Sequence, residues 1–238
     1  MSEENIKIHY DFLFKNGEKK NFIIELDPET LALKSIPNKH YPEWTKLTCS
    51  QCPNCPLDVQ KYPYCPVAAN LSHITEEISL HISYEEVQVI VHTKARDYQR
   101  EISLQNALRS IFGIIMPTSD CPIMEKLRPM VYNHLPFATG QETAYRVLSM
   151  YALAQFFITK KGGKPDLEFK LLEKIYEDVE IVNRAFHLRL VSAGLTDASL
   201  NAIGNLNCYA HFTQMALEPE KLGKIESLFS SYFKNPQS

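Results

Sequence analysis

The chain has 238 residues, 45% of them hydrophobic, and its 28 acidic and 25 basic side chains leave a formal net charge of −3. That length suits one large domain or two small ones, and the apolar content supports a sizeable core rather than a disordered polymer. No lysine- or arginine-rich run is present to neutralise several phosphates, which argues against a nucleic-acid partner. The acidic start, Met1-Ser2-Glu3-Glu4-Asn5, lacks the pattern of a signal peptide. The most apolar stretch, Val147 to Ile158, is interrupted by Ser149 and Gln155 and falls short of the roughly 18 apolar residues of a membrane span. These features predict a cytoplasmic protein with no membrane partner. In a reducing compartment, close cysteines favour metal binding or redox work over disulfides.

The first predicted element is a β-hairpin. Ile6, Ile8, Tyr10, Phe12 and Phe14 alternate with Lys7, His9, Asp11 and Leu13, which is the period of a half-buried strand. Asn16-Gly17 supplies the turn, and Phe22 to Leu26 the return strand before Asp27-Pro28. From Ile36 to Pro66 the chain is rich in proline and cysteine and shows no sustained period. A segment of this kind builds little core of its own, so a metal clip would be physically useful there. Pro66 opens a helix through Val67, Leu71, Ile74 and Ile78. Val87, Val89 and Val91 alternate as a strand, with a partner from about Tyr98 to Ile102.

The remainder reads as helix. Leu104, Leu108, Ile111 and Ile115 form an apolar stripe that Pro117 is expected to stop, and Pro122 starts a short helix. Thr139 and Glu142 make a capping box for a helix through Tyr145, Leu148, Tyr151 and Leu153. After Gly162-Gly163 and Pro165, Asp166 is placed to cap a long helix with the stripe Leu172, Ile175, Val179, Val182 and Phe186. Gly194 ends it, and Thr196 or Asp197 starts the next, so the two should pack as an antiparallel pair. The predicted fold class is α+β: a small antiparallel sheet with an N-terminal hairpin and a cysteine-cluster segment, followed by a mainly helical part. The corresponding regions are 1–102 and 103–238, which one continuous domain could also contain.

The chemistry concentrates in the cysteines. Four of the six are followed by proline, namely Cys52, Cys55, Cys65 and Cys121, whereas Cys49 and Cys208 are not. Cys52-Pro-Asn-Cys55 has the spacing that puts two thiolates of one turn on a single metal. Proline favours the first position of a helix, so Pro66 and Pro122 place Cys65 and Cys121 at helix N-caps, where free N–H groups stabilise thiolates. The expected site is therefore a tetrahedral four-cysteine site for Zn2+. The competing grouping is Cys49, Cys52 and Cys55, whose C-x2-C-x2-C spacing matches the start of a ferredoxin-type run; the expected fourth cysteine is replaced by Val59. On that alternative Cys49 is a ligand of an iron–sulfur cluster. Cys208, beside Tyr209 and Phe212, reads as a core residue.

Weaker candidates are His73 and His81 as substitute ligands, and Arg128, His134, Gln141 and Glu142 around the turn Pro136-Phe137-Ala138-Thr139-Gly140, which could line a pocket. Solvent exposure or hydrogen bonding is the simpler account of the two histidines, and capping and helix connection explain the turn segment. No serine–histidine–acid order, P-loop, G-x-G-x-x-G or H-E-x-x-H motif occurs in the sequence.

The opening hairpin together with Cys52-Pro-Asn-Cys55-Pro-Leu, Tyr64-Cys65-Pro-Val and Leu135-Pro-Phe-Ala-Thr resembles an uncharacterised family of bacterial cytoplasmic proteins with a Cys-Pro metal-binding cluster. The resemblance covers the first two-thirds of the chain and implies no catalytic residues. The sequence thus points to a non-enzymatic regulatory or protein-interaction protein with a structural zinc site and an unknown protein partner. The alternative is an iron–sulfur redox sensor or electron carrier, and the long amphipathic helices also permit a homodimer.

Overall fold

The computed structural model describes residues 4–34, 41–195 and 197–234. The protein is α+β. The hairpin forms as the alternation requires, with β1 (Ile6–Phe14) paired antiparallel to β2 (Lys19–Leu26). Gly17 takes φ 88° in the turn, and the Glu18 N–H bonds the Asn16 side chain at 2.9 Å. β3 (Glu86–His92) pairs with the other edge of β1 and with β4 (Asp97–Ser103), giving the order β2-β1-β3-β4.

Register puts the large apolar side chains on one face: Tyr10 lies opposite Phe22 on one side and Val91 on the other, and Phe12 lies opposite Val89. The Phe12 and Phe22 rings meet edge to face at 5.4 Å. The other face is wet. There Lys7 pairs with Glu25, and Ile23 is 54% exposed. The outer strand β4 carries Gln99, Arg100 and Glu101, all exposed, which blunts a free sheet edge.

α1 (Pro66–Glu77) and α2 (Leu104–Thr118) connect the sheet to the helical part. α1 buries Val67, Leu71 and Ile74 at the expected spacing, with Ile78 buried just beyond its end. Helix α2 is different, because its buried residues include Leu104, Leu108, Ile111, Phe112, Ile114 and Ile115 and so surround most of its girth. A helix apolar nearly all round is a central helix. α2 touches β3, β4 and α1 on one side and α6 (Asp197–Ala216) on the other. One buried cluster therefore runs from the sheet through α2 into the helices.

Pro117 does not stop α2 but sits inside its last turn. A proline removes one N–H, here the one that would meet the Gly113 carbonyl, and two hydroxyls bond the carbonyls that follow. The Thr118 hydroxyl donates to the Ile114 carbonyl at 2.8 Å and the Ser119 hydroxyl to that of Ile115 at 2.5 Å. Pro122 opens a turn rather than a helix; the 3-10 helix that follows spans Met124–Leu127, and α3 is Pro129–Tyr132.

The Thr139–Glu142 capping box forms at the start of α4 (Gly140–Lys160). The buried stripe on α4 is Ala144, Val147, Leu148, Tyr151 and Gln155, so Tyr145 and Leu153 of the expected stripe lie outside, 42% and 54% exposed. Leu148 and Tyr151 are common to both stripes, and Ala144, Val147 and Gln155 take the other buried positions. α5 (Lys170–Ser192) has Phe169 at its N-cap position, but the cap itself comes from Asp166, which accepts from the Leu171 N–H at 2.7 Å and the Tyr151 hydroxyl at 2.8 Å. Gly194 at φ 64° ends α5, where the Leu195 N–H reaches back to the Leu190 carbonyl. α6 packs along α5 as expected, while Thr196 lies outside the described residues. α7 (Pro219–Glu226) and α8 (Ser230–Lys234) are the last helices among the described residues.

Tyr10 ties the sheet to the segment after α3. Its hydroxyl lies 2.6 Å from His134 Nε2 and 3.1 Å from Ser110 Oγ, and burial lowers the His134 pKa to about 3. The histidine is thus neutral when folded and can be protonated near pH 6.5 once unfolded. Between about pH 6.5 and about 3 the unfolded state binds the extra proton, so stability falls as pH falls through this window. Urea titrations of wild type and His134→Gln across that range should show the wild type losing its advantage on acidification; a pH-independent difference between the two would contradict the assignment. The one-sided sheet makes a second expectation. Phe12→Ala should cost about 3–5 kcal/mol and Ile23→Ala under about 1 kcal/mol in the same assay.

Candidate metal centre

The segment before α1 reaches its place through a few backbone contacts. Residues 45–47 run beside residues 63–65: Leu47 N–H bonds the Pro63 carbonyl at 2.9 Å and Cys65 N–H the Thr45 carbonyl at 2.8 Å. Cys65 is thereby fixed as the N-cap of α1, with Pro66 in the first turn. Its side chain makes no strict capping hydrogen bond, yet the N–H groups of Val67 and Ala68 bear on the sulfur and oppose the rise in pKa that burial causes. Cys52 and Cys55 are joined by a turn closed by the Cys55 N–H and the Cys52 carbonyl at 3.0 Å.

Cys121 follows α2. It is not a helix N-cap, as the sequence suggests, because Ile123 holds that position of the 3-10 helix. The N–H groups of Ile123 and Met124 nevertheless act on its sulfur as a cap would.

These four cysteines line one cavity of ≈ 20 Å3, walled by Leu47, Leu57, Val67, Ile123, Val182, Phe186 and Arg189. Burial pushes the Cys52 thiol up to about 12, and the neighbouring sulfurs of Cys65, Cys121 and Cys55 add to the shift. Burial likewise raises Cys65 and Cys121. Among the described residues no three histidine, cysteine, aspartate or glutamate side chains stand, as placed, in an arrangement that could hold a metal ion. The two observations concern different things. Sharing a cavity makes the four cysteines neighbours; it does not put three of them at ligand distance as placed.

The residue that sequence reasoning missed is Arg189 of α5. It is 1% exposed, the largest fully buried side chain, and among the described residues it has no carboxylate partner. Its guanidinium instead donates to the carbonyls of Trp44 at 2.7 Å and Lys46 at 2.6 Å, with those of Leu47 and Ser50 at 3.5 Å. It also lowers the pKa of Cys52 and Cys65 against the effect of burial. A second tie runs from the knuckle itself: Asn54 Nδ2 donates to the Asp178 carbonyl of α5 at 3.1 Å. Arg189 stands three positions after Phe186 on the buried side of α5, a place that its sequence neighbours mark as core.

The remaining candidates fall elsewhere. Cys49 does not line the four-cysteine cavity; its N–H bonds the Lys46 carbonyl at 3.0 Å. Cys208 is exposed and is not a core residue, because α6 turns Ala210 and Thr213 inward and leaves position 208 on its outer side. His73 is exposed, while His81 stacks on Phe14 at 3.9 Å and contacts Glu85 at 2.9 Å. Arg128 bonds Asp120 and the Pro117 carbonyl, Gln141 is exposed, and Glu142 belongs to the capping box. Of these last four, His134 lines a cavity, together with Phe137 and Ala138 of the adjoining turn.

Among the described residues no helix is long and apolar enough to cross a membrane. No curated protein and no solved structure matches the chain. A family model does: the chain belongs to the family defined by a domain of unknown function, DUF6901, which matches residues 8–230.

Proposed function

We propose that this member of a family without an assigned activity is a non-enzymatic regulatory or protein-interaction protein, held together by a structural zinc ion on Cys52, Cys55, Cys65 and Cys121. The observation that carries this reading is Arg189. A buried guanidinium facing neutral thiols is a charge without a counterpart, and such a charge is costly in a low-dielectric interior. Four thiolates around a divalent ion carry a net charge of −2, so the arginine beside them becomes a compensating partner rather than a liability.

The donor set fits the ion. Four sulfurs complete a tetrahedron and leave no coordination position for substrate, which is the mark of a structural zinc site. Space favours one ion over a cluster. The cavity of ≈ 20 Å3 has room for about one water-sized body, and a four-iron cubane is much larger. The N–H groups of Val67, Ala68, Ile123 and Met124 would orient and stabilise the thiolates. With zinc in place, the irregular segment before α1, the start of α1 and the end of α2 are tied to one point. That arrangement suits a rigid scaffold for partner recognition, and nothing in it requires chemistry at the metal.

Metal analysis of anaerobically purified protein tests the assignment. The expected result is one zinc per chain, retained by Cys49→Ser and lost in Cys121→Ser. Iron with sulfide, lost on replacing Cys49, would establish the redox alternative. Removing the ion with a strong chelator should lower the melting temperature and expose Trp44 to solvent quenching; a metal-free protein with unchanged stability would refute a structural role. For Arg189, replacement by glutamine should weaken zinc binding roughly 10–100-fold, as loss of a supporting outer contact does. The exposed Arg184→Gln on the same helix serves as the control and should leave zinc affinity unchanged.

A further inference from the structure

A second cavity, of ≈ 150 Å3, lies between α2, α4, α5 and α6 and is bordered by α3 and residues 134–138. This is about the size of an apolar protein cavity that takes up benzene. Most of its wall is apolar. Among the polar side chains that interrupt it, Arg109, Arg146 and Asn183 carry the largest hydrogen-bonding capacity.

Arg109 lies with its guanidinium 3.9 Å from the centre of the Tyr209 ring and donates to the Ala138 carbonyl at 3.4 Å. Arg146 donates through Nη2 to the carbonyls of Met130 at 2.7 Å and Asn133 at 2.6 Å. Among the described residues neither is ion-paired, and the Glu142 carboxylate, engaged in the capping box, is the weakest of the influences acting on Arg146. The third is Asn183. It is 2% exposed, lines the same cavity, and its Oδ1 has no hydrogen-bond partner. A buried amide oxygen without a donor is costly, and a site that leaves one facing a cavity is completed by whatever enters.

We propose that this cavity binds a small monocarboxylate with an apolar body of aromatic-ring or short-alkyl size. Two guanidiniums with no carboxylate partner call for an anion, and their planar N–H forks match a carboxylate. The apolar wall and the volume select a body that buries easily, which a phosphate or a multiply charged anion lacks. His134 adds no charge there, being neutral, and can only donate or accept a hydrogen bond. Asn183 supplies an acceptor for a hydroxyl or amine on the ligand. The cavity shares no lining residue with the cysteine site.

Gly113 provides a clean block. It lies on α2 at the cavity wall, and a Cβ added there meets only Leu206 Cδ2, at 3.9 Å, within 4 Å. A leucine at this position would extend into the cavity, and replacing a mid-helix glycine raises helix propensity, so the fold should be retained. The test titrates full-length protein with 4-hydroxybenzoate and with hexanoate by calorimetry and ligand-observed NMR, each against its neutral amide. The expected result is saturable one-to-one binding of at least one acid, at least about tenfold tighter than its amide. Arg109→Gln should weaken the acid about tenfold and leave the amide within about twofold, because only the acid uses the charge. Gly113→Leu should abolish binding with an undiminished melting temperature. Absence of saturable binding by both acids at millimolar concentration, equal binding of acid and amide, or binding that survives Gly113→Leu would each overturn the proposal.

Discussion

Arg189 brings a permanent positive charge into the interior of α5 and holds it against four carbonyls of residues 44–50. Guanidinium hydrogen bonds to carbonyls replace part of the lost hydration, but they leave the charge itself unneutralised. What surrounds it decides how the rest of the molecule is built. The backbone that turns its carbonyls toward Arg189 is the same backbone that leads into Cys52 and Cys55, and Asn54 fastens that turn to Asp178 on the same helix. This segment is thereby held on α5, and its two cysteines share a cavity with those at the start of α1 and after α2. Thiolate charge at that point is what a buried cation favours.

The second constraint is α2. A helix buried on most sides can serve a sheet and a helical layer at once, and the single apolar cluster running through it shows that it does. It begins directly at the end of β4, with no connecting segment between Ser103 and Leu104. Its C-terminal end leads to Cys121, and one of its faces forms a wall of the larger cavity. Both sites therefore rest on one rigid element, although they use opposite parts of the helical layer's chemistry: sulfur and a carbonyl-bound arginine in one, guanidinium groups and an unpartnered amide in the other.

The larger cavity contrasts with the cysteine site in how its charge is arranged. Arg189 is saturated by carbonyls on several sides, whereas Arg109 uses one long hydrogen bond and an aromatic face. A guanidinium held by stacking keeps most of its N–H groups free to meet a ligand. Burial of His134 in its neutral form, close to Tyr10, keeps a further positive charge out of this region at neutral pH.

The amino-acid sequence by itself determined the elements. The Asn16-Gly17 turn, the Thr139–Glu142 box and the Gly194 stop are local signals, because each depends on residues a few positions apart, and the alternation in β1 and β3 is legible within each strand alone. It also separated the four proline-followed cysteines from Cys49 and Cys208, and those four line one cavity. Where the reading slipped, the deciding contact was distant or the local chemistry was subtler than the residue type. Pro117 lies in the last turn of α2, where the helix ends one residue later, and α4 buries Ala144 while Tyr145 lies outside. Arg189 falls on the apolar stripe of α5, but its residue type argued against burial. An arginine on an amphipathic helix ordinarily reaches solvent, and only the tertiary structure, by bringing carbonyls from some 140 residues away around it, made that charge a centre of the fold. The same is true of Arg109, Arg146 and Asn183, which belong to three different helices and meet only because those helices pack around one space.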